Sequence, residues 1–420
     1  MRVTRLTSLA VLLAGAVVVS LATLSQQAIA QEPPTRVILI IGDGAGASYW
    51  TAAAFATDNL AVEEFPVMGL VDTRASDNKT TDSAAAGTAF SAGVRTYNGA
   101  IGVDPDSNSV TTVLEVAQSR GMATGLVATS SVTHATPAAF ASHVPDRNME
   151  WEIARQLADA DVDVILGGGR RFFDPSRRPD SLDLLSSLAA HYSYVETAAE
   201  LATLQTKELD RLLGLFTAGD MPAEPLRSPT LPEMTRAALE VLDRDPDGFF
   251  LMVEGSQPDW RGHDQEPLHA IVAEMLDLDR AIGVALEYQS RHPETLIVVT
   301  ADHETGGLAI QQVGSRRLLT RAAATADSTA AQLAEVSSFA DRELATLADS
   351  AAWYMEQVSN LMRRQARQMG DSSTLVARYT TDGHTSQMVP LFASGPGAEQ
   401  FGGIKDNWEI GQLLMAVVKR

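Results

Sequence analysis

The sequence predicts an α/β fold in which a mostly parallel central β-sheet is sandwiched between helices. Two patterns carry this reading. Short runs are apolar throughout, as strands buried on both faces require, and helical segments lie between those runs. Length is the third observation, because 420 residues at 45% hydrophobic composition can bury a large core. In chain order, residues 36–41 (Arg36-Val37-Ile38-Leu39-Ile40-Ile41) are β-branched and apolar and end in Gly42-Asp43-Gly44, a strand followed by a tight turn. Residues 83–92 are Ala-rich and helix-forming, with Asp82-Ser83 at the N-cap position. Further strands fall at 124–128, 162–166, 249–253, 296–300 and 389–392, each short and apolar. Helical patterns occupy 111–119, 152–159, 231–243, 268–289 and 408–418. Two segments interrupt the alternation. Residues 172–229, with Asp174-Pro175 and Arg178-Pro179 at one end, read as an excursion of helix and loop on the surface. Residues 314–373 are Ala- and charge-rich, read as mostly helical, and are expected to cover part of the site.

Residues 1–30 read as a signal peptide. Arg2 and Arg5 form a positive n-region, 9–24 is apolar and uncharged, and Ala28-Ile29-Ala30 is a small-x-small cleavage site before Gln31. The apolar run is short for a membrane anchor. The expectation is therefore a periplasmic or secreted protein, without stable membrane association after cleavage, formed by a single domain over 31–420 with the two insertions. Cleavage removes two Arg and no acid, taking the formal charge from −21 to −23. Such a charge opposes nucleic acid or an anionic membrane as the main partner. There is no Cys, so disulfides, thiolate metal sites and Cys nucleophiles are excluded.

The chemistry gathers where predicted strands end. Asp43 follows the first strand, Glu254 follows 249–253, and Asp302-His303 follows 296–300. Asp also favours turns for its own hydrogen-bonding reasons. Three such coincidences, joined by Asp259-Trp260-Arg261-Gly262-His263 and Gly383-His384-Thr385, point instead to metal binding. A sulfur-free set of this kind suits Zn²⁺ or Mg²⁺. The i,i+4 spacing of Asp259 and His263 puts both on one face of a helical turn. Ser83 is the nucleophile candidate, although on its own it reads better as helix-capping chemistry.

Seven motifs, in order, resemble those of alkaline phosphatases: Gly42-Asp43-Gly44-Ala45-Gly46, Thr81-Asp82-Ser83-Ala84-Ala85, Tyr97-Asn98-Gly99-Ala100, His134-Ala135-Thr136-Pro137-Ala138-Ala139, Val253-Glu254-Gly255, Thr300-Ala301-Asp302-His303 and Gly383-His384-Thr385. The resemblance runs from about Val37 to the C-terminus, apart from the two excursions. It implies a phosphomonoester hydrolase with two Zn²⁺ and one Mg²⁺, acting through a phosphoserine on Ser83 and releasing phosphate and an alcohol. Asp259, His263 and His384 resemble the ligands of the first zinc; Asp43, Asp302 and His303 resemble those of the second, beside Ser83. Asp43, Thr136 and Glu254 resemble the magnesium ligands, and Arg147 resembles the arginine that clamps phosphate through two parallel N–H bonds. Asp82 reads equally as an orienter of Arg147 and as a helix cap.

Two positions depart from the best-studied bacterial members, where Asp stands in place of His134 and Lys in place of Trp260. Other members carry His and Trp there. An imidazole near the third site lets Zn²⁺ compete with Mg²⁺, and the missing cation at Trp260 implies weaker phosphate inhibition. His143 reads as structural; His191, His269 and His292 read as surface residues; Trp50 reads as core more than site. The acids of 268–289, Asp277 and Asp279 among them, read as a solvated face.

Other classes stay in view. A sulfatase of the same superfamily needs a Cys or Ser in a Pro- and Arg-containing motif, whereas Ser83 precedes Ala84-Ala85-Ala86. Phosphodiesterases usually lack an equivalent of Arg147. A non-catalytic phosphate-binding protein has no use for Ser83. The resemblance also leaves a homodimer possible.

Overall fold

The computed structural model describes residues 35–314 and 373–419. The expected signal peptide lies outside the described residues, as does nearly all of 314–373. Of that insertion only the two ends are described, and they pair: β10 (Ala309–Gly314) runs antiparallel to β11 (Ser373–Arg378), with Gly314 opposite Ser373. Among the described residues no helix is long and apolar enough to cross a membrane.

The fold is built on a ten-stranded sheet. At its centre β1 (Arg36–Gly42) lies parallel between β7 (Phe249–Gly255) and β8 (Thr295–Thr300), with Arg36 opposite both Phe249 and Thr295. Val37 to Ile41 are 0% exposed, as the continuously apolar pattern demands. Beyond β7 the parallel run continues through β3 (Ala123–Ser131), β4 (Val164–Gly168), β6 (Leu212–Leu215) and β5 (Ser193–Val195). On the other side β13 (Val389–Ser394) is antiparallel to β8 and to β2 (Val67–Asp72), and β14 (Gly403–Asp406) closes the edge.

Helices cover both faces. Successive strand residues point to opposite sides. Phe249 packs edge-on against Tyr288 of one helix (centroids 5.7 Å), while Phe250 stacks on Phe140 of another (6.0 Å). The helices in question are α8 (Leu268–Arg291) and α4 (Ala135–Ala141). Beside α8 pack α1 (Ala47–Ala56) and α6 (Leu231–Leu242); beside α4 pack α2 (Ser83–Ala92) and α3 (Val113–Ser119), and α9 (Asn407–Val418) packs on both of these. Trp50 sits in this core, 8% exposed and edge-on to Phe392.

Two expectations need correction. Segment 172–229 is not only a surface excursion of helix and loop, because it supplies β5 and β6 to the main sheet and Leu212, Leu213 and Leu215 are 0% exposed. Four residues are too few for a periodic signal. The acids of α8 are not a solvated face either: Glu274, Asp277 and Asp279 are all buried. Asp279 accepts from the backbone N–H groups of Ala61 (2.9 Å) and Val62 (3.1 Å). Glu274 and Asp277 receive the buried Arg227 guanidinium at 2.6 and 2.7 Å. A charged residue on the inner face of a helix is tolerated when such partners are supplied.

Candidate functional site

The parallel strands β1, β3, β7 and β8 end at one edge of the sheet, and the predicted residues meet there. Asp43 follows β1, with its N–H bonded to the carbonyl of Gly255 (3.0 Å). Glu254 lies within β7 rather than after it, opposite Ile41. Asp302 and His303 follow β8, and Gly44 N–H donates to Asp302 Oδ1 (3.1 Å). Gly44 must be Gly, since its φ is +70° and a Cβ there would stand 2.7 Å from Asp259 Cα.

Asp259 and His263 sit on α7 (Gln257–His263), one turn apart, with His263 Nε2 3.3 Å from Asp259 Oδ1. His384 arrives from far along the chain by a small antiparallel pairing. In it β12 (His384–Thr385) lies against β9 (Glu304–Thr305), immediately after His303. As a result the His303 and His384 rings stack at 3.5 Å between centroids. Glu304, hydrogen-bonded to the N–H groups of Gly307 (3.2 Å) and Leu308 (2.9 Å) and to Thr385, fixes this pairing.

The hydrogen bonds around three of the histidines dictate where their lone pairs point. His263 Nδ1 contacts the Asp382 carbonyl (2.5 Å) and His384 Nδ1 the Thr81 carbonyl (2.9 Å). A carbonyl only accepts, so both Nδ1 atoms carry a proton, and in a neutral ring each Nε2 is left as a lone-pair donor. Without an ion, the Asp259 carboxylate holds His263 up to about 9, with a second proton on the ring that a cation at Nε2 would displace. Those two Nε2 atoms lie 3.1 Å apart, beside Asp259 Oδ1. Thr305 donates its hydroxyl to Asp259 Oδ1 and therefore accepts from His303 Nδ1 (3.2 Å). That leaves His303 Nε2 facing Asp302 Oδ2 (3.2 Å), Asp43 Oδ1 (3.5 Å) and Ser83 Oγ (3.2 Å). Carboxylate oxygens and imidazole nitrogens brought this close call for positive charge between them, which a bound cation supplies.

Three groups of donor atoms are spaced to hold such ions: Asp259, His263 and His384; Asp43, Asp302 and His303; and Asp43, His134 and Glu254, each within 4.8 Å of one another. Both Asp43 oxygens, Glu254 Oε1, Asp302 Oδ2 and Thr136 Oγ1 are buried without a hydrogen-bond partner. Electrostatics says the same of the two groups that share Asp43. Burial, then the charges of Asp302, Asp259 and Glu254, pushes Asp43 well above the carboxylate range. Burial pushes Glu254 and Asp302 up to about 7. Burial and His384 push the His303 imidazole well below its ordinary value, keeping it neutral. Resistance of buried carboxylates to ionisation is what a divalent cation reverses on binding, and a neutral imidazole is the form that ligates it.

His134 behaves differently. Arg147 can only donate, so the 3.1 Å contact between its Nη2 and His134 Nε2 takes up the lone pair of that ring. Burial and Arg147 lower His134 to about 4, so it is neutral. Trp260 lies edge-on to it at 5.9 Å.

Ser83 is the first residue of α2 and 2% exposed. Asp82 makes contacts compatible with each of its two readings: Oδ1 accepts from Ala85 N–H (3.0 Å) as an N-cap, while Oδ2 accepts from Gly99 N–H (3.0 Å) and Arg147 Nη1 (3.1 Å). The Tyr97-Asn98-Gly99 motif locks this corner, since Asn98 Oδ1 accepts from Asp82 N–H (2.9 Å) and Gly99 O from Arg147 N–H (2.8 Å). His143 is structural, bonded to Gly102 O (2.7 Å) and Glu115 (3.0 Å). Of the three histidines read as surface residues, His191 is exposed and His269 and His292 are half-buried. Thr305, Glu304 and Tyr49, which donates to Thr305 O (2.7 Å), support the site without a motif of their own. For Glu304 and Thr305 the one signal in the sequence is closeness to Asp302-His303; Tyr49 has none.

The family model described as alkaline phosphatase matches residues 35–420. Alkaline phosphatase 3 of Bacillus subtilis is 37% identical, over 93% of this chain and 90% of its own length. The structure is similar to alkaline phosphatase from the Antarctic bacterium TAB5, with a TM-score of 0.74 and 33% identity, covering 92% of this chain and 98% of that one. It is equally similar to a variant of the Antarctic enzyme in which Asp replaces a His and Mg is bound in the M3 site (TM-score 0.74, 32% identity, 92% and 98% covered).

Proposed function

This chain belongs to the alkaline phosphatase family, and from that premise we propose that it hydrolyses phosphomonoesters through a phosphoserine on Ser83. The observation that carries the proposal is the placement of His303 Nε2 and the unpartnered oxygens of Asp43 and Asp302 beside Ser83 Oγ, with the His263 and His384 Nε2 atoms converging on Asp259.

Asp259, His263 and His384 would hold one Zn²⁺, and Asp43, Asp302 and His303 the other; Asp43 and Glu254, with the unpartnered Thr136 hydroxyl, would hold Mg²⁺. When bound, these ions supply positive charge beside the attacking and leaving oxygens, the main electrostatic need of phosphoryl transfer. The hard oxygen donors favour Mg²⁺ in the third site. With its lone pair held by Arg147, His134 recruits Zn²⁺ there only by giving up that bond.

The chain's own residues do the rest. Arg147, braced by Asp82 and His134, presents its planar fork to two phosphate oxygens. Ser83 Oγ loses its proton and bonds to phosphorus as the ester P–O bond breaks, and the alcohol departs with a proton. Water then adds its oxygen to phosphorus as the Oγ–P bond breaks, a proton from that water returns to Ser83 Oγ, and inorganic phosphate leaves. Position at the N-terminus of α2 favours the negative charge that develops on Ser83. The signal-peptide pattern of 1–30 supports a periplasmic or secreted location for this activity.

The test is hydrolysis of 4-nitrophenyl phosphate before chelation, after it, and after restoring Zn²⁺ and Mg²⁺, with a bis-aryl phosphodiester as control. Monoester turnover should vanish on chelation and return with the metals. A metal-replete protein that is inactive, or one that prefers the diester, contradicts the proposal.

A further inference from the structure

A second concavity opens beside Arg147. It is a cleft of about 620 Å³ lined by Asn148, Glu150, Trp151, Arg171, Phe172, Arg177 and Ala218, within the size range of small-molecule sites. Its walls come from the segments that follow β3, β4 and β6, so it lies at the same carboxyl edge of the sheet as the metal-ligand groups. Two links tie it to them. Asn148 directly follows Arg147, which places their Cα atoms about 3.8 Å apart. Glu150 accepts a hydrogen bond from Thr133 Oγ1 (2.7 Å), and Thr133 directly precedes His134.

The lining has a definite chemistry. Arg171 and Arg177 are both exposed, and neither guanidinium is held in an ion pair among the described residues. This contrasts with Arg178 of the same segment, which is buried and bonded to Asp180, to Trp151 O (3.1 Å) and to Phe172 O (2.6 Å). Arg171 lies over the Phe172 ring at 4.6 Å, and in a chain of net charge −21 two guanidiniums without an ion-pair partner among the described residues, against one carboxylate, give the cleft a local excess of positive charge. Beside them stands an aromatic wall: Trp151 packs edge-on to the buried Phe172 (centroids 4.9 Å) and against the Arg178 guanidinium, so the ring is held rigidly. Glu150, the one carboxylate of the lining, accepts from Thr133 Oγ1 and feels the charge of Arg171, so it offsets part of that guanidinium but leaves Arg177.

We infer that this cleft is the leaving-group subsite, and that it selects phosphomonoesters whose organic part carries a ring or apolar body and a second anionic group. With the ester phosphate on Arg147, the organic part lies along Trp151 and its second anion meets Arg171 and Arg177. The inference rests on the phosphomonoesterase reading above. It adds a substrate preference that the metal-ligand groups cannot supply, because they hold only the phosphoryl group.

The experiment compares kcat/KM for phenyl phosphate and for 4-(carboxymethyl)phenyl phosphate, whose leaving groups differ by a remote carboxylate. It uses the metal-replete enzyme and its Arg171→Gln, Arg177→Gln and doubly substituted variants. Each single variant should lower the ratio of charged to uncharged substrate by about two- to fivefold, the scale of an exposed charge pair, and the double variant by about tenfold. An unchanged ratio overturns the subsite, as does a parallel fall for both substrates. Wild-type enzyme that hydrolyses neither substrate removes the phosphatase reading itself, a different failure and one that takes the subsite with it.

Discussion

Replacing Asp82 separates two jobs that one carboxylate performs. Oδ1 caps α2 through Ala85 N–H, and Oδ2 receives Gly99 N–H and Arg147. In Asp82→Asn the amide oxygen can keep the cap, but the amide nitrogen then faces Gly99 N–H and the guanidinium, donor against donor. Arg147 loses a partly buried, charge-assisted bond, which is worth about 1 kcal/mol and so about fivefold in phosphate affinity. Asp82→Ala also loses the cap, about 1 kcal/mol, and leaves Gly99 N–H unpaired at a cost of about 1–3 kcal/mol. The assay pairs the inhibition constant for inorganic phosphate with thermal unfolding of the same preparations. The Asn variant should bind phosphate about fivefold more weakly and lose less stability than the Ala variant. Unchanged phosphate inhibition in Asp82→Asn would refute the orienting role and leave Asp82 a helix cap alone.

Trp260→Lys places a cation next to His134 and the phosphate-binding corner. It should lower the inhibition constant for phosphate, and an unchanged constant contradicts the reading of Trp260 as a missing cation. Glu224, whose side chain is 5% exposed, is pushed up to about 8 by burial and then by Asp277. Between its ordinary value of 4.5 and about 8 the folded chain keeps a proton that the unfolded chain has released, so stability falls as pH rises across that window. Glu224→Gln should remove that slope. Relative to wild type it should gain on the order of a few kcal/mol between pH ~5 and ~9 in denaturation measurements, and parallel pH profiles contradict the assignment.

Strands buried on both faces are legible because a continuous apolar run bounded by turn residues is the pattern such a strand requires: 36–41, 249–253 and 296–300 appear where expected. β2 is not legible, because Met68 and Leu70 point outward, at 65% and 42% exposure, and its pattern marks no buried face. β6 is four residues long, too short to stand out among loops. The inward acids of α8 escape a sequence reading because a charged residue on a helix resembles a solvated one until its partner is seen; Arg227 lies 47 positions from Glu274. At the site, residues carried by motifs are legible one by one. Their convergence is not, since the pairing of His384 with Thr305 and the proton positions of the three imidazoles depend on contacts between distant segments.

In the proposed mechanism Ser83 carries the phosphoryl group covalently between two displacements. That step is read most directly by acid quenching of the metal-replete enzyme during turnover of 4-nitrophenyl phosphate, followed by mass spectrometry of its peptides. One phosphoryl group is expected on the peptide containing Ser83, and none in Ser83→Ala, which keeps its metals and still binds phosphate. A label on another residue, or a Ser83→Ala enzyme that turns over at the wild-type rate, would contradict the covalent role of Ser83.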